Sequence, residues 1–213
     1  MTSHRGEIVG ALPAEHSFDV VRSEVAFRSR VISVRSDEVR MPGGTTATRD
    51  VVQHPGAVGV VALDNHERVL LVTQYRHPVA RRLAEIPAGL LDVAGEVPLT
   101  AARRELAEEA GVAATTWCVL VDALTSPGMT DEAIRIFLAR DLTPVARAIQ
   151  EHEELELTSQ WVPLSVAVEL VFSGELENAM ACVGILAAAL ARQTSFSGLR
   201  AADAPWPAHA FDA

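Results

Sequence analysis

Apolar and polar residues alternate along the first quarter of the chain, as they do in β-strands with one buried face. The alternation runs from Phe18 to His54. It is broken at Met41–Gly44, where a proline and two glycines predict a turn. We therefore predict an antiparallel β unit in which a strand ending near His54 returns along the preceding one.

Two apolar runs after this unit predict a β-hairpin. They cover Ala57–Leu63 and Arg68–Arg76 and are separated by the polar turn Asp64–Glu67. The tail from Thr194 is expected to be partly disordered. The remaining predicted elements are strands at Leu83–Pro87, Trp117–Leu124 and Ala133–Ala139, a polar loop over 141–154, a strand ending at Val162, and helices at Ser165–Phe172 and Leu176–Arg192.

One further segment, between Pro98 and Gly111, has the composition of a helix with defined ends. Pro98 suits the first turn of a helix, where its missing N–H costs nothing. Gly111 suits the position that ends a helix, because glycine adopts the left-handed backbone conformation found there at low cost. Good helix formers lie between them. At about 100° per residue one side of this helix is apolar and is expected to face the core: Leu99, Ala102, Leu106 and Ala110.

A neighbouring side of the same helix is acidic. Glu105, Glu108 and Glu109 fall within a wedge of roughly 100°. One interpretation is a solvated acidic face, on which Arg104 pairs weakly with Glu108. The other is half of a metal site, because three carboxylates this close repel one another unless a cation lies among them.

Composition narrows the class of protein. Of 213 residues 49% are hydrophobic, enough for the core of one domain, and the net charge of −10 argues against a nucleic-acid or anionic-membrane partner. Cys118 and Cys182 form no CxxC motif, and the first residues lack the apolar core of a signal peptide. The run Ala179–Ala191 is too short to span a bilayer. We expect a cytoplasmic protein.

The acidic helix and the residues before it resemble the Nudix box, GX5EX7REUXEEXGU, in which U is aliphatic. Six residues rather than five lie between Gly89 and Glu96, so the preceding loop has one extra residue, expected to be absorbed over 90–94. From Glu96 onward every position matches at the family's spacing: Glu96, Arg104, Glu105, Leu106, Glu108, Glu109, Gly111 and Val112. The resemblance favours the metal site over the solvated face.

The resemblance implies a fold and an assembly. The fold is α/β, a Nudix α/β/α sandwich with a mixed sheet over residues 49–192. A lead-in and the antiparallel β unit, residues 1–48, precede it, and a tail over 193–213 follows. In the family such a leading sheet often takes part in dimer formation. We therefore expect a homodimer in which the N-terminal strands reach the partner's site, and the apolar helix near Cys182 also favours this assembly.

It also implies Mg²⁺ or Mn²⁺ as cofactor, with two or three ions per site. The expected metal ligands are the carboxylates of Glu105, Glu108 and Glu109 and the backbone carbonyl of Ala88. The ions would neutralise charge that develops on the leaving oxygen and lower the pKa of an attacking water. Two further residues are expected to support the site. Arg104 would orient carboxylates, and Glu96 would support the loop and the helix.

Two segments resemble the ADP-ribose pyrophosphatase subfamily. LAEIPAG resembles its E-[IL]-P-A-G entry, which places Glu85 near the substrate. TSPGMTDE resembles its downstream marker, which implies that Pro127, Met129 and Asp131 contact the substrate. Taken alone, Ser126-Pro127-Gly128 is more simply interpreted as a turn, and it is the combination with the Nudix box and Glu85 that favours the subfamily.

The family also uses a glutamate from a mobile loop to orient or deprotonate the attacking water. The acidic segment Glu151–Glu154 is the candidate here, and both Glu153 and Glu154 remain open, with Glu154 preferred and Glu109 also assigned to catalysis. A solvated acidic loop is the alternative. Arg49 and Arg76, at strand ends, are candidates for charge-assisted bonds to phosphate, or else are solvated surface residues.

The predicted activity is hydrolysis of the diphosphate of ADP-ribose to AMP and ribose 5-phosphate. The first alternative is another nucleoside diphosphate derivative, either a nucleotide sugar or a dinucleotide. The second is a non-catalytic ADP-ribose sensor. The intact acids of the box and the acidic net charge disfavour a sensor with an added DNA-binding module.

Overall fold

A computed structural model describes residues 17–147 and 156–207. The chain forms two compact units, with the division after Gln53. The first unit contains a three-stranded antiparallel sheet in the order β1-β2-β3: β1 (Val20–Arg28), β2 (Ser33–Arg40) and β3 (Thr46–Gln53).

The predicted turn between β2 and β3 is confirmed. Gly43 and Gly44 have φ values of 88° and 84°, which only glycine adopts at low cost. The predicted limit at residue 48 falls inside β3. The apolar side chains of β1, including Val25 and Phe27, are exposed within this unit. The dimerisation role of this unit stays a prediction.

The second unit is built on two sheets. Its strands are β4 (Ala57–Ala62), β5 (Arg68–Arg76), β6 (Arg81–Glu85), β7 (Ala88–Leu90), β8 (Val112–Leu124), β9 (Ala133–Pro144), β10 (Thr158–Pro163) and β11 (Arg200–Ala201). The five-stranded sheet has the order β11-β8-β9-β4-β7 and is mixed, because β4 and β9 are parallel and the other pairs are antiparallel. The three-stranded antiparallel sheet has the order β10-β5-β6.

Helices cover both faces of the mixed sheet. They are α1 (Pro98–Ala110), α2 (Leu164–Ser173) and α3 (Ala179–Arg192). Successive side chains of β4 point to opposite faces. Val58 and Val60 pack with Leu106 of α1, whereas Val61 packs with Ile185 of α3. The predicted α/β/α sandwich is confirmed.

Several element boundaries differ from prediction, and β6 covers Arg81–Glu85 rather than Leu83–Pro87. β8 begins directly after α1, and its first residue, Val112, pairs with Pro144 of β9. β9 therefore continues to Pro144 and includes residues that were predicted to begin the polar loop. The last helix begins at Ala179 rather than Leu176. The side chain of Asn178 accepts a hydrogen bond of 2.9 Å from the backbone N–H of Ala181 and so caps the helix there.

The predicted disorder after Thr194 is wrong for residues 194–207. β11 pairs with β8, and the indole of Trp206 is buried with its ring centre 4.8 Å from the guanidinium carbon of Arg135. Arg135, itself buried, donates to the backbone carbonyls of Ala204 and Pro205 at 2.7 and 3.0 Å. An aromatic ring and a buried cation thus fix the segment.

Asp122 completes this anchor. It accepts two hydrogen bonds from Arg135, at 2.8 and 3.0 Å, and one of 2.6 Å from Arg200. Burial by itself raises the pKa of Asp122, but the hydrogen bonds from the two arginines outweigh burial and hold that pKa below its ordinary value. The carboxylate therefore stays ionised opposite its partners.

Replacing Trp206 by alanine is expected to lower the free energy of unfolding by about 3 kcal/mol, because the substitution leaves a cavity and uncovers Arg135. Urea denaturation followed by far-ultraviolet circular dichroism measures the change. Phe172→Ala is the matched control, since Phe172 is 78% exposed and its loss should cost under about 0.5 kcal/mol. Equal effects of the two substitutions would contradict a docked C-terminal segment.

Within residues 17–147 and 156–207, no helix is both long enough and apolar enough to cross a bilayer.

Candidate active site

Helix α1 has the ends that its sequence predicts. It begins at Pro98 and ends at Ala110, where it is capped by Gly111, whose φ is 64° and whose N–H donates to the carbonyl of Ala107 at 3.0 Å. Ala102 and Leu106 are buried on its core side. This packing fixes the rotation of the helix, so Glu105 and Glu109 of its acidic side face β7.

Arg104 joins three carboxylates of this region. Its Nε and Nη2 donate to the two carboxylate oxygens of Glu96 at 3.1 and 3.0 Å. Its Nη1 donates to Glu105 at 2.7 Å and to Glu108 at 3.0 Å. Because one nitrogen reaches both Glu105 and Glu108, an oxygen of each lies on the same side of α1. We call Glu96, Glu105, Glu108 and Glu109 the carboxylate cluster.

Hydrogen bonds from Arg104 hold the pKa of Glu96 below its ordinary value, and in turn the bonds to Glu96, together with the charge of Glu105, raise the pKa of Arg104. The extra residue of the preceding loop does not prevent this pairing. A turn closed by the bond from Glu96 N–H to the Val93 carbonyl (3.1 Å), with Gly95 at φ 77°, brings Glu96 to Arg104.

Glu109 is the buried member of the cluster. It is 8% exposed, and its Oε2 accepts the backbone N–H of Ala88 at 3.0 Å. The ladder between β4 and β7 uses the bonds from Val60 N–H to the Pro87 carbonyl (2.8 Å) and from Leu91 N–H to the Gly56 carbonyl (3.0 Å). In an antiparallel ladder bonded pairs alternate with non-bonded ones, so the N–H and carbonyl of Ala88 both point away from β4.

Gly89 makes room for Glu105. A Cβ atom at this position would overlap Oε1, Cδ and Cγ of Glu105, so the carboxylate side chain lies directly against the glycine backbone. Glycine is not required here for a positive φ, since the φ of Gly89 lies outside the left-handed region. Glu105 and Glu109 therefore both meet β7, at Gly89 and Ala88 respectively.

The donor set fits a hard divalent cation. Glu105, Glu108 and Glu109 offer carboxylate oxygens, and Ala88 directs its carbonyl to the same side of β7 as the N–H that Glu109 accepts. Over residues 17–147 and 156–207, no three Asp, Glu, His or Cys side chains are arranged to hold one ion by themselves. Mg²⁺ needs only one or two carboxylates, because water and substrate phosphate oxygens complete its shell.

Arg76 and Glu85, predicted separately as substrate residues, form an ion pair. Arg76 Nε donates to Glu85 Oε1 at 2.9 Å and Nη2 to Oε2 at 2.6 Å. Glu85 is buried at the end of β6, three residues before Ala88. The pair thus lies just before β7, the strand that begins at Ala88.

The segment after β8 forms the turn that its residues predict. The N–H of Met129 donates to the carbonyl of Ser126 at 2.9 Å, and the Met129 side chain is exposed beside Pro127. Asp131 has a structural contact, because its Oδ1 accepts the N–H of His54 at 2.8 Å, just before β4. Contact of Pro127, Met129 and Asp131 with substrate stays a prediction.

The other assigned residues fall elsewhere. Glu153 and Glu154 lie outside the described residues. Six residues before Glu153, Arg147 donates from Nε to the Glu108 carbonyl at 3.3 Å, so the chain just after β9 contacts the backbone of α1. Arg49 belongs to β3 of the first unit, where its Nη1 donates to the Thr48 carbonyl at 2.8 Å. Its contact with phosphate stays a prediction.

The pairing of Arg76 with Glu85 and of Arg135 with Asp122 was not predicted. A signal for both was present, because Glu85 and Arg135 are charged residues inside apolar strands (LAEIP and AIRIFLA) and a buried charge needs a partner. Spacing does not identify that partner, which depends on strand register.

Comparison with known proteins is consistent with this geometry. The model of the NUDIX domain matches residues 53–180, and that of the nucleoside diphosphate sugar hydrolase N-terminal domain matches residues 18–52. The chain is 47% identical over 193 residues to an ADP-ribose pyrophosphatase of Mycobacterium tuberculosis, covering 91% of this chain and 93% of that protein.

Two further similarities broaden the comparison. The chain is 39% identical over 139 residues to a methanol dehydrogenase activator of Bacillus methanolicus, covering 64% of this chain and 75% of that protein. A crystal structure of an ADP compounds hydrolase superposes with a TM-score of 0.73 at 20% identity, covering 84% of this chain and 96% of that one. The latter shows a shared fold.

Proposed function

The chain belongs to the Nudix family of hydrolases, and on that premise we propose that it hydrolyses the diphosphate linkage of ADP-ribose to AMP and ribose 5-phosphate. The observation that supports ADP-ribose as the substrate is the 47% identity to an ADP-ribose pyrophosphatase across nine tenths of both chains. The observation that supports the reaction class is the carboxylate cluster, with Glu105 and Glu109 both seated against β7.

In the proposed mechanism Glu105, Glu108, Glu109 and the Ala88 carbonyl would hold two or three Mg²⁺ or Mn²⁺ ions. When bound, these ions neutralise charge on the diphosphate and lower the pKa of a water. Arg104 keeps Glu105 and Glu108 turned towards the site. The backbone N–H of Ala88 fixes one oxygen of Glu109. The reaction adds one water across the P–O–P linkage, and each product leaves with one phosphate group.

Other residues are proposed for the substrate side. Arg76 and Arg49 bind diphosphate oxygens, and Pro127, Met129 and Asp131 line the substrate. Either Glu153 or Glu154 accepts the proton of the attacking water.

We also propose a homodimer in the cytoplasm, and a sedimentation experiment that found only monomer at micromolar concentration would contradict the dimer.

The test is a substrate panel with the full chain and Mg²⁺ or Mn²⁺. We expect AMP and ribose 5-phosphate from ADP-ribose, separated by ion-exchange chromatography, and lower kcat/KM for GDP-mannose, ADP-glucose, NADH and diadenosine diphosphate. If a nucleotide sugar or a dinucleotide were preferred, the proposed substrate would change, but the proposed reaction, hydrolysis of a diphosphate linkage, would not. Tight binding of ADP-ribose with no turnover of any compound would favour the sensor.

The similarity to a methanol dehydrogenase activator makes this panel necessary, because relatives of comparable identity carry different names. Hydrolysis in H₂¹⁸O adds a second result. The product that carries the label identifies which phosphorus the water attacks.

A further inference from the structure

We propose that Glu85 is a positioning residue that acts on the reaction only through Arg76. It holds the Arg76 guanidinium beside the carboxylate cluster, where that guanidinium binds an oxygen of the diphosphate. The proposal assumes the pyrophosphatase function described above. It differs from the sequence prediction, in which Glu85 itself lies against the substrate.

Strand register shows that Glu85 determines where Arg76 points. In the β5–β6 ladder Arg76 lies opposite Arg81, whereas Glu85 lies opposite Val72, four residues back along β5. Residues 72 and 76 share one face of the sheet. At about 3.4 Å per residue, the Arg76 side chain must run back along the strand to reach Glu85. Arg81, the neighbour across the strand, pairs instead with Glu177 at 2.7 Å.

Exposure shows which member of the pair a ligand can reach. Glu85 is 2% exposed, and both of its carboxylate oxygens are engaged by Arg76, at 2.9 and 2.6 Å. The Arg76 side chain is 42% exposed. A small molecule arriving from solvent therefore meets the guanidinium rather than the carboxylate. Arginine suits that contact, because its planar fork binds phosphate oxygens directionally.

Chain connectivity places Glu85 three residues before Ala88, the proposed backbone donor to the metal. Glu85 is followed by the buried residues Ile86 and Pro87 and then by Ala88, whose N–H bonds to Glu109. An anionic diphosphate that approaches the carboxylate cluster of a chain with net charge −10 needs a local cation. A guanidinium held by a buried carboxylate supplies that cation in a fixed position.

A double-mutant cycle tests this proposal in the full-length enzyme. The proteins are wild type, Glu85→Gln, Arg76→Gln and the double variant, with kcat/KM for ADP-ribose measured below each thermal midpoint. We expect each single variant to lose about 10- to 100-fold, and the double variant to lose no more than Arg76→Gln alone. The loss should lie mainly in KM, with a parallel loss of affinity for the non-hydrolysable α,β-methylene analogue of ADP-ribose.

The matched control is an exposed ion pair between Arg81 of the same hairpin and Glu177. Arg81 and Glu177 are both about half exposed, and Arg81→Gln, Glu177→Gln and their double variant should change kcat/KM by less than about twofold. Should Glu85→Gln prove too unstable, Glu85→Asp replaces it. Its carboxylate is retained but set back by one methylene, so we expect an intermediate rise in KM that disappears in the Arg76→Gln background.

Three outcomes would overturn the inference. If the losses of the single variants multiply in the double variant, Glu85 contacts the substrate directly. If Glu85→Gln and Glu85→Asp keep the wild-type KM while Arg76→Gln does not, Glu85 is not needed to place Arg76. If thermal midpoints fall but KM and analogue affinity do not, the pair is purely structural. Absence of turnover in the wild type would instead reject the proposed function.

Discussion

Glu109→Gln is expected to lower kcat by at least about 10³-fold, the largest loss among single substitutions in the carboxylate cluster. Glutamine keeps an oxygen that accepts the Ala88 N–H, now at 3.0 Å from Glu109, but removes the negative charge that a divalent cation requires. Fold and stability should therefore change little while metal-dependent activity is lost. The measurement is kcat as a function of Mg²⁺ concentration, together with the thermal midpoint.

The control for Glu109→Gln is Glu169→Gln, an exposed glutamate on helix α2 that should leave both kcat and the Mg²⁺ dependence unchanged. Addition of EDTA to wild type should reproduce the loss, and added Mg²⁺ should restore the activity of wild type but not of the variant. A variant that retained more than a tenth of wild-type kcat at saturating Mg²⁺ would remove Glu109 from the proposed metal site.

Gly89→Ala is expected to lower kcat/KM by about 10²-fold through Glu105 alone. The new Cβ would occupy the position of the Glu105 carboxylate, which must swing away from β7 and from its place in the cluster. Alanine has no difficulty with the backbone conformation, because the φ of Gly89 lies outside the left-handed region. A titration of Mn²⁺ followed by electron paramagnetic resonance should show weaker metal binding by the variant.

Two comparisons isolate this effect. Gly184→Ala also introduces a methyl group into a tight site, 2.9 Å from Val61 Cγ2, but in the core under α3. It should lower stability and leave kcat/KM of the folded enzyme unchanged. In a Glu105→Ala background the overlap at residue 89 disappears, so Gly89→Ala should cause no further loss. A further loss there would mean that the glycine acts through something other than Glu105.

The local features of the site were predictable, because they depend on short-range spacing. Pro98 and Gly111 fix the ends of α1, and the helical period puts Glu105, Glu108 and Glu109 on one side of it. The resemblance to the Nudix box added the interpretation of these acids as metal ligands. The structure then supplied distances such as that from Glu109 to Ala88, which spans 21 residues of sequence.

Non-local features were less accessible. The tail after Thr194 contains two prolines and polar residues, which are typical of disorder, yet Trp206 is buried and β11 pairs with β8. Its order depends on Arg135 and Asp122, which are more than sixty residues away. In the same way, the pairing of Arg76 with Glu85 depends on the register of β5 and β6, which no periodicity within either strand specifies.

Arg104 bears on when the enzyme acquires its metal. Its hydrogen bonds to Glu96, Glu105 and Glu108 give the acidic side of α1 a cation that belongs to the chain. In many small metalloproteins the free energy of metal binding is also the free energy of folding, so the chain waits for its ion. Here the helix is neutralised in part as soon as the polypeptide folds. Biosynthesis and metal loading then become separate events, and chelation should yield a folded, inactive enzyme that Mg²⁺ reactivates.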